Sequence, residues 1–214
     1  MTRRLISSLL LLSKLSKRTT CPGGTEVYAR RAELPELGNG MTTAELRQCL
    51  EEAFGGLEPP NFDDLTYSQL DPDFAEAVKT ETPKARRWQE LRPLNGFLYT
   101  ALSLLVLRGE ACRYYLPAFL YAMTDPEDIW RYLGPVLNRL WYENEFGDPL
   151  HNNRDLREEW EEFTALLTDA QKRCIAHCLV EILKSADSIE ECAEVHMELD
   201  RIEYMLEKYW KAWL

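Results

Sequence analysis

The segment from Ala111 to Met123 constrains the fold of this chain more than any other stretch of its sequence. Apolar side chains recur in it every three or four residues, which is the spacing of one face of an α-helix. Pro117 lies inside that pattern. Because proline has no N–H to donate to the carbonyl of Arg113, we expect the helix to kink or break there. The predicted inner face consists of Cys112, Tyr115, Leu116, Phe119, Leu120 and Met123.

The same helical period continues from Met41 to the end of the chain. Four capping-box sequences, in which Ser or Thr is followed three residues later by Glu or Gln, begin at Thr42, Thr124, Thr168 and Ser188. Strand signals are nearly absent, because no alternating β-branched run of useful length occurs. The sequence therefore predicts an all-α fold, an irregular bundle of six to eight helices with a long C-terminal helix.

Glycine and proline predict where several helices end. Gly55 should end the first helix, and Gly109 should stop a buried central helix over residues 95–107. The pair Gly134-Pro135 should interrupt the helix that follows the second capping box.

Charge divides the chain into a basic start and an acidic body. The whole sequence has 25 Lys+Arg and 36 Asp+Glu, of which residues 1–40 contain 7 and 3, so residues 41–214 carry a net charge of −15. Such a body repels phosphate backbones, which disfavours nucleic-acid binding, and it suits a basic protein partner. Solubility alone is the plainer explanation of the same charge.

Three parts are predicted along the chain. Residues 1–40 form a poorly ordered basic extension, whose apolar run over 5–12 is too short to span a bilayer. This extension resembles a leader or transit segment, or it precedes a functional start at Met41. Residues 41–185 form a helical core domain, and 186–214 form a long amphipathic helix packed on the core or on a partner.

The C-terminal helix carries an apolar seam at heptad spacing between almost wholly charged flanks. A seam of this kind packs along the bundle or pairs with another chain. Three residues on the outer side of the Ala111–Met123 segment are a second group of interaction candidates, because Arg and Tyr are favoured at interface anchors. Together the candidates are Leu199, Ile202, Leu206, Tyr209, Trp210 and Trp213 of the last helix and Arg113, Tyr114 and Tyr121.

Two sets of residues are candidates for a metal ion, and for both we favour ordinary helix or loop positions. The first is Cys174 and His177 with Cys192 and His196, a Cys2His2 set of the kind that tetrahedral zinc prefers. Cys192, however, belongs to the apolar seam. The second set is an acidic loop without EF-hand spacing, formed by Glu143, Glu145, Asp148, His151 and Asp155.

Motifs of catalysis are missing from the sequence. It contains no nucleophile elbow, P-loop, Rossmann glycine fingerprint or H-E-x-x-H pattern. Its six cysteines form no dense disulfide framework, so a reducing cytoplasm is the simplest compartment. No cofactor is predicted, and an enzyme is less favoured than a binding protein.

Residues 94–183 resemble a group of uncharacterised bacterial proteins, a domain of unknown function. The resemblance rests on Glu110-Ala111, on the run Arg113-Tyr114-Tyr115-Leu116-Pro117-Ala118-Phe119-Leu120 and on the cap from Thr168 to Gln171. The helix after Met41 also looks like the beginning of that family. Arg108-Gly109 and Cys112 depart from its pattern. The resemblance implies an α-helical bacterial protein without known catalysis.

The sequence thus favours a non-enzymatic cytoplasmic protein that acts by protein–protein contact. An immunity or antitoxin protein directed at a basic partner is one concrete form. Two alternatives remain: a metal-dependent enzyme that uses the acidic loop or the Cys/His set, and a homodimeric scaffold formed through the last helix.

Overall fold

A computed structural model describes residues 40–61, 87–91, 104, 107–143, 155–186 and 193–214, without the side chains of 91, 155, 156, 186 and 193–197. Every regular element in these ranges is helical, which confirms the all-α prediction. The predicted extension over 1–40 and the predicted helix over 95–107 lie largely outside the described residues. The elements are α1 (Thr43–Phe54), a 3-10 helix (Trp88–Leu91), α2 (Gly109–Ala122), α3 (Ile129–Leu140), α4 (Asp155–Leu166), α5 (Asp169–Ala186), α6 (Ala193–Lys208) and a second 3-10 helix (Trp210–Trp213).

Two of the four predicted capping boxes are confirmed. At α1, the Thr42 hydroxyl accepts from the Glu45 N–H at 3.2 Å, and the Glu45 carboxylate accepts from the Thr42 N–H at 2.7 Å. At α5, Thr168 and Gln171 make the same reciprocal pair at 3.2 and 3.1 Å. These bonds satisfy N–H groups that have no partner inside a helix. The fourth box, at Ser188, lies outside the described residues.

The predicted cap at Thr124 is wrong. Its hydroxyl donates to the Tyr121 carbonyl at 2.7 Å and accepts from Arg47 Nε at 2.7 Å. Helix α3 begins only at Ile129, after Asp128. The Thr124 hydroxyl, which the local pattern predicted to cap a helix, is instead bonded to Arg47 on α1.

Both internal prolines lie within continuous helices. Helix α2 runs through Pro117 without a break, and α3 runs through Gly134-Pro135, where an interruption was predicted. Proline removes one hydrogen bond from each helix. Apolar burial on both sides of the gap outweighs that loss in α3, where Tyr132 and Val136 are buried.

Gly109 is the first residue of α2, and the helix that it was predicted to stop lies largely outside the described residues. Gly109 is buried, and a methyl group at this position would lie 2.9 Å from Leu166 Cδ1 at the end of α4. The glycine therefore permits the close approach of α2 and α4.

The C-terminal helix is shorter than predicted. Helix α6 ends at Lys208, Tyr209 leaves helical geometry with φ −144° and ψ −54°, and a 3-10 helix follows. This turn places Trp210 in the core, where it is fully buried. A straight helix to Leu214 would have continued the heptad seam through Trp213 instead.

Helix α2 lies at the centre of one part of the bundle, in contact with α1, α3, α4 and the Trp88–Leu91 turn. Helix α5 contacts α1, α6 and the C-terminal 3-10 helix, and α6 also packs on α3. The end of α3 thus lies beside α4, α6 and the C-terminal 3-10 helix.

Candidate protein-interaction surface

Aromatic side chains from three parts of the chain meet at the end of α3. Trp141 and Trp210 are buried, at 6% and 0% exposure, and five half-buried rings surround them. Trp160 lies 4.8 Å from Trp141 and 4.9 Å from Tyr209 between ring centroids, both edge to face. These are the separations and orientations that aromatic pairs prefer. We call the five half-buried rings the aromatic patch: Tyr142, Trp160, Tyr204, Tyr209 and Trp213.

The carbonyl of Leu140, the last residue of α3, fixes two of these aromatic residues. It accepts from Trp160 Nε1 at 2.7 Å and from Trp210 Nε1 at 3.2 Å. A helix ends with carbonyls that lack an intrahelical donor. One such carbonyl therefore joins α4 and the C-terminal 3-10 helix to the end of α3.

Arg201 holds α6 against the same end of α3. Its guanidinium donates to Asn138 Oδ1 at 2.6 Å and to the Trp141 carbonyl at 3.4 Å, and Glu198 lies 3.8 Å away. Arg201 is buried, so these contacts compensate for the cost of removing its charge from water. These contacts fix the position of α6, which carries Tyr204 of the patch, relative to the end of α3.

Cations lie over three rings of the patch. Arg157 is 5.6 Å from the centroid of Tyr142, Lys208 is 5.4 Å from that of Tyr204, and Lys172 is 4.6 Å from that of Trp213. Each distance is within the range of a cation–π interaction. Three rings of the patch are therefore already in contact with positive charge from the chain itself.

Glu143 forms a polar corner of the patch between two phenols. Tyr204 Oη donates to Glu143 Oε2 at 3.2 Å, and Tyr142 also hydrogen-bonds to Glu143. Burial raises the pKa of both tyrosines, and the nearby carboxylate of Glu143 raises it further. Arg157 lowers the pKa of Tyr142, whereas Glu161 raises it, and Glu207 raises that of Tyr204.

Two indole N–H groups, one in the patch and one beneath it, are buried without an acceptor among the described residues. They belong to Trp141 and Trp213. Buried donors normally have a partner. These two N–H groups contribute no hydrogen bond to the cluster, in contrast to those of Trp160 and Trp210.

Of the predicted candidates on α2, Tyr114 is buried, whereas Arg113 and Tyr121 are half-buried. Tyr114 was expected on the outer side of the helix, but it is 2% exposed, because α2 is surrounded by other elements. Arg113 Nε donates to Gln171 Oε1 at 3.1 Å. Arg47 lies over Tyr121 at 4.8 Å.

The candidates from the last helix divide into two groups. Leu199, Ile202, Leu206 and Trp210 are buried within the chain itself. Tyr209 and Trp213 are half-exposed in the patch. Three members of the patch were not predicted, namely Tyr142, Trp160 and Tyr204. Because they come from separate elements, no periodicity connects them, and their aromatic character was the one signal in the sequence.

The metal candidates are only partly described. Cys174 is buried in contact with other thiols, and burial lowers the pKa of the half-buried His177. Cys192 and most of the acidic loop lie outside the described residues, as does the His196 side chain. Within the described ranges, no three His, Cys, Asp or Glu side chains form a group that could hold a metal ion.

The chain matches no protein-family model, no curated protein and no solved structure. None of the helices in the described part of the chain has the length and apolar character needed to cross a membrane.

Proposed function

We propose that this chain is a non-enzymatic binding protein whose aromatic patch contacts a basic protein partner in the cytoplasm. The observation that carries the proposal is the cluster of five half-buried rings at the end of α3, with the Glu143 carboxylate beside two of its phenols. Half-exposed rings next to a carboxylate suit a Lys or Arg side chain of a partner, because such a side chain can contact a ring and the carboxylate together.

The composition of the patch supports this role. Tyrosine and tryptophan are enriched at the centres of protein interfaces, because they bury a large area at a low cost in side-chain entropy. Leu214, beside the patch in sequence, is 45% exposed and adds apolar surface. Half-exposed aromatic rings whose positions are fixed by contacts with α3 have the properties of an interface anchor.

Charge supports a basic partner. Glu143, Glu161 and Glu207 lie near the phenols of the patch, within a body of net charge −15 over residues 41–214. Carboxylates around an aromatic surface attract a positive protein and accelerate its association. An immunity or antitoxin protein that covers a basic toxin is the concrete form we propose, and membership of the uncharacterised bacterial family is compatible with it.

Affinity capture from the cells that produce the protein tests the proposal. The full chain serves as bait beside the double variant Tyr204→Ala/Trp213→Ala, which removes two rings of the patch. We expect one basic protein at a stoichiometric level, weaker recovery as salt increases, and at least about tenfold weaker recovery by the double variant.

Tyr121→Ala is the matched control, because it also removes a half-buried ring beneath an arginine, away from the patch. It should leave recovery unchanged. The proposal is overturned if no stoichiometric partner is found and the protein is monomeric, or if Tyr121→Ala and the double variant weaken recovery equally. Recovery of a second copy of the chain would instead favour the homodimeric scaffold.

A further inference from the structure

Three cysteines form a continuous row between α1 and α5. Cys49 on α1 is half-buried, whereas Cys174 and Cys178 on α5 are 0% and 1% exposed. Cys174 and Cys178 lie four residues apart and therefore share one face of α5. Helices α1 and α5 pack directly on each other, which brings the third thiol to that face.

Two hydrogen bonds between the segments set their register. Gln171 Nε2 donates to the Ala53 carbonyl at 3.0 Å, and the Met41 N–H donates to Glu181 Oε1 at 3.0 Å, so Cys49 lies opposite Cys174. A disulfide requires two cysteines at directly opposed positions, with Cα atoms about 4.4–6.8 Å apart. Cys112, by contrast, is buried on α2 and contacts Arg139 Nε at 3.1 Å.

We propose that Cys49 and Cys174 are a reversible disulfide site, oxidised by a low-molecular-weight disulfide such as glutathione disulfide. Cys49 is the entry point, because it is the one member of the row with substantial solvent exposure. Cys174 is the resolving thiol, because it is the cysteine of α5 that lies opposite Cys49. The disulfide would join α1 to α5 covalently across the core.

The reaction proceeds by two exchanges. The Cys49 thiolate attacks one sulfur of glutathione disulfide and releases one glutathione, which leaves a mixed disulfide on Cys49. The Cys174 thiolate then attacks the Cys49 sulfur and releases the second glutathione. Two cysteine thiols are oxidised, one external disulfide is reduced to two thiols, and the two cysteine protons are transferred to the departing thiolates.

The surroundings make this site slow at neutral pH. Donation to Cys174 raises the pKa of Cys49, and donation to Cys178 raises the pKa of Cys174, with burial acting in the same direction. Glu52 on α1 raises the pKa of Cys49 further, and Arg173 on α5 lowers it. Because only thiolates react, the rate should rise about tenfold for each pH unit over the neutral to mildly alkaline range.

Incubation of the reduced full-length protein with glutathione disulfide tests the proposal. After free thiols are blocked and the protein is digested, we expect a peptide pair joined through Cys49 and Cys174. The oxidised protein should also have a higher thermal midpoint than the reduced protein, because the cross-link restricts the unfolded chain. A reductant should reverse both changes.

Single variants distinguish the steps. Cys174→Ser should accumulate the glutathione adduct on Cys49, whereas Cys49→Ser should form neither the adduct nor the Cys49–Cys174 link. Cys112→Ser is the matched control and should behave as the original chain does. If Cys174→Ser does not fold, disulfide mapping of the unsubstituted protein still shows whether the Cys49–Cys174 link forms. A stable adduct without the internal link, or a link between Cys174 and Cys178, would overturn the proposal.

Discussion

Helix α2 and the C-terminal segment from α6 onward are both rich in aromatic residues, yet they use them differently. In α2, Tyr114, Tyr115 and Phe119 are no more than 3% exposed. In the C-terminal segment, Tyr204 and Tyr209 remain half-exposed beside charged groups. The first group stabilises the bundle, whereas the second leaves aromatic faces that a partner can contact.

The difference arises from the number of neighbours that each element has. Helix α2 is covered by α1, α3, α4 and the Trp88–Leu91 turn. Tyr209 and Trp213 follow the end of α6, where the chain turns into a 3-10 helix. Exposure to solvent, and not aromatic content, separates a core segment from a candidate interface.

Replacing a core ring in α2 should produce the largest effect. Phe119→Ala removes a ring that is 2% exposed and packs edge to face on Tyr132 at 5.7 Å. We expect the free energy of unfolding, measured by urea denaturation, to fall by about 3–5 kcal/mol. Trp213→Ala, in the patch, should cost much less because this ring is half-exposed. Equal losses would erase the distinction between the two regions.

Alkaline pH should destabilise the protein through α2. Burial raises the pKa of Tyr115 to about 12, above the value of about 10 in an unfolded chain. The neutral phenol is favoured in the fold, so this contribution is full below about pH 10 and is lost as pH rises through about 12. The expected loss approaches about 2–3 kcal/mol.

Urea denaturation across this pH range should show a shallower decline for Tyr115→Phe than for the original chain. Tyr114 and Tyr132 also have raised pKa values, so the difference between the two proteins is the quantity to compare. Identical declines would show that Tyr115 does not lose a proton on unfolding.

The side chain of Gln171 should matter at an intermediate level. It donates to the Ala53 carbonyl at 3.0 Å and accepts from Arg113 Nε and the Thr168 N–H, each at 3.1 Å. Gln171→Ala leaves these groups without that partner, and we expect a loss of about 1–3 kcal/mol. Gln171→Glu keeps the acceptor atoms, so urea denaturation should show it retaining more stability than the alanine variant.

The smallest effect on stability should come from the patch. Tyr204→Phe removes the 3.2 Å hydrogen bond to Glu143 from a half-exposed residue. We expect urea denaturation to show a loss of about 0.5 kcal/mol. If the partner is captured as proposed, the same variant should weaken its recovery, because Glu143 loses the phenol that orients it. A large loss of stability would assign Tyr204 to the core.

Local signals in the sequence predicted most helix positions but few of the long-range contacts that each helix makes. The caps at Thr42 and Thr168 were predictable because their partners lie three residues away. The false cap at Thr124 could not be recognised, since its hydroxyl is used by Arg47, 77 residues distant in sequence. Burial around Pro135 likewise depends on contacts that local pattern does not contain.

The candidate site was predictable only in part, for the same reason. Tyr209 and Trp213 were found because they end a regular seam. Tyr142 and Trp160 belong to separate elements and meet only after folding, at 5.3 Å between centroids. Tyr114 was misplaced because the Trp88–Leu91 turn packs on α2 and Tyr114 hydrogen-bonds to the backbone of Trp88, a contact between residues distant in sequence.

The paired indoles at the end of α3 allow the position of the C-terminal segment to be followed by optical spectroscopy. Trp141 and Trp160 are close enough for their electronic transitions to couple, and Trp160 and Trp210 share one carbonyl acceptor. Their circular dichroism and fluorescence therefore report on the seating of the last turn. A partner that moved this segment would change the tryptophan fluorescence and circular dichroism, without any added label.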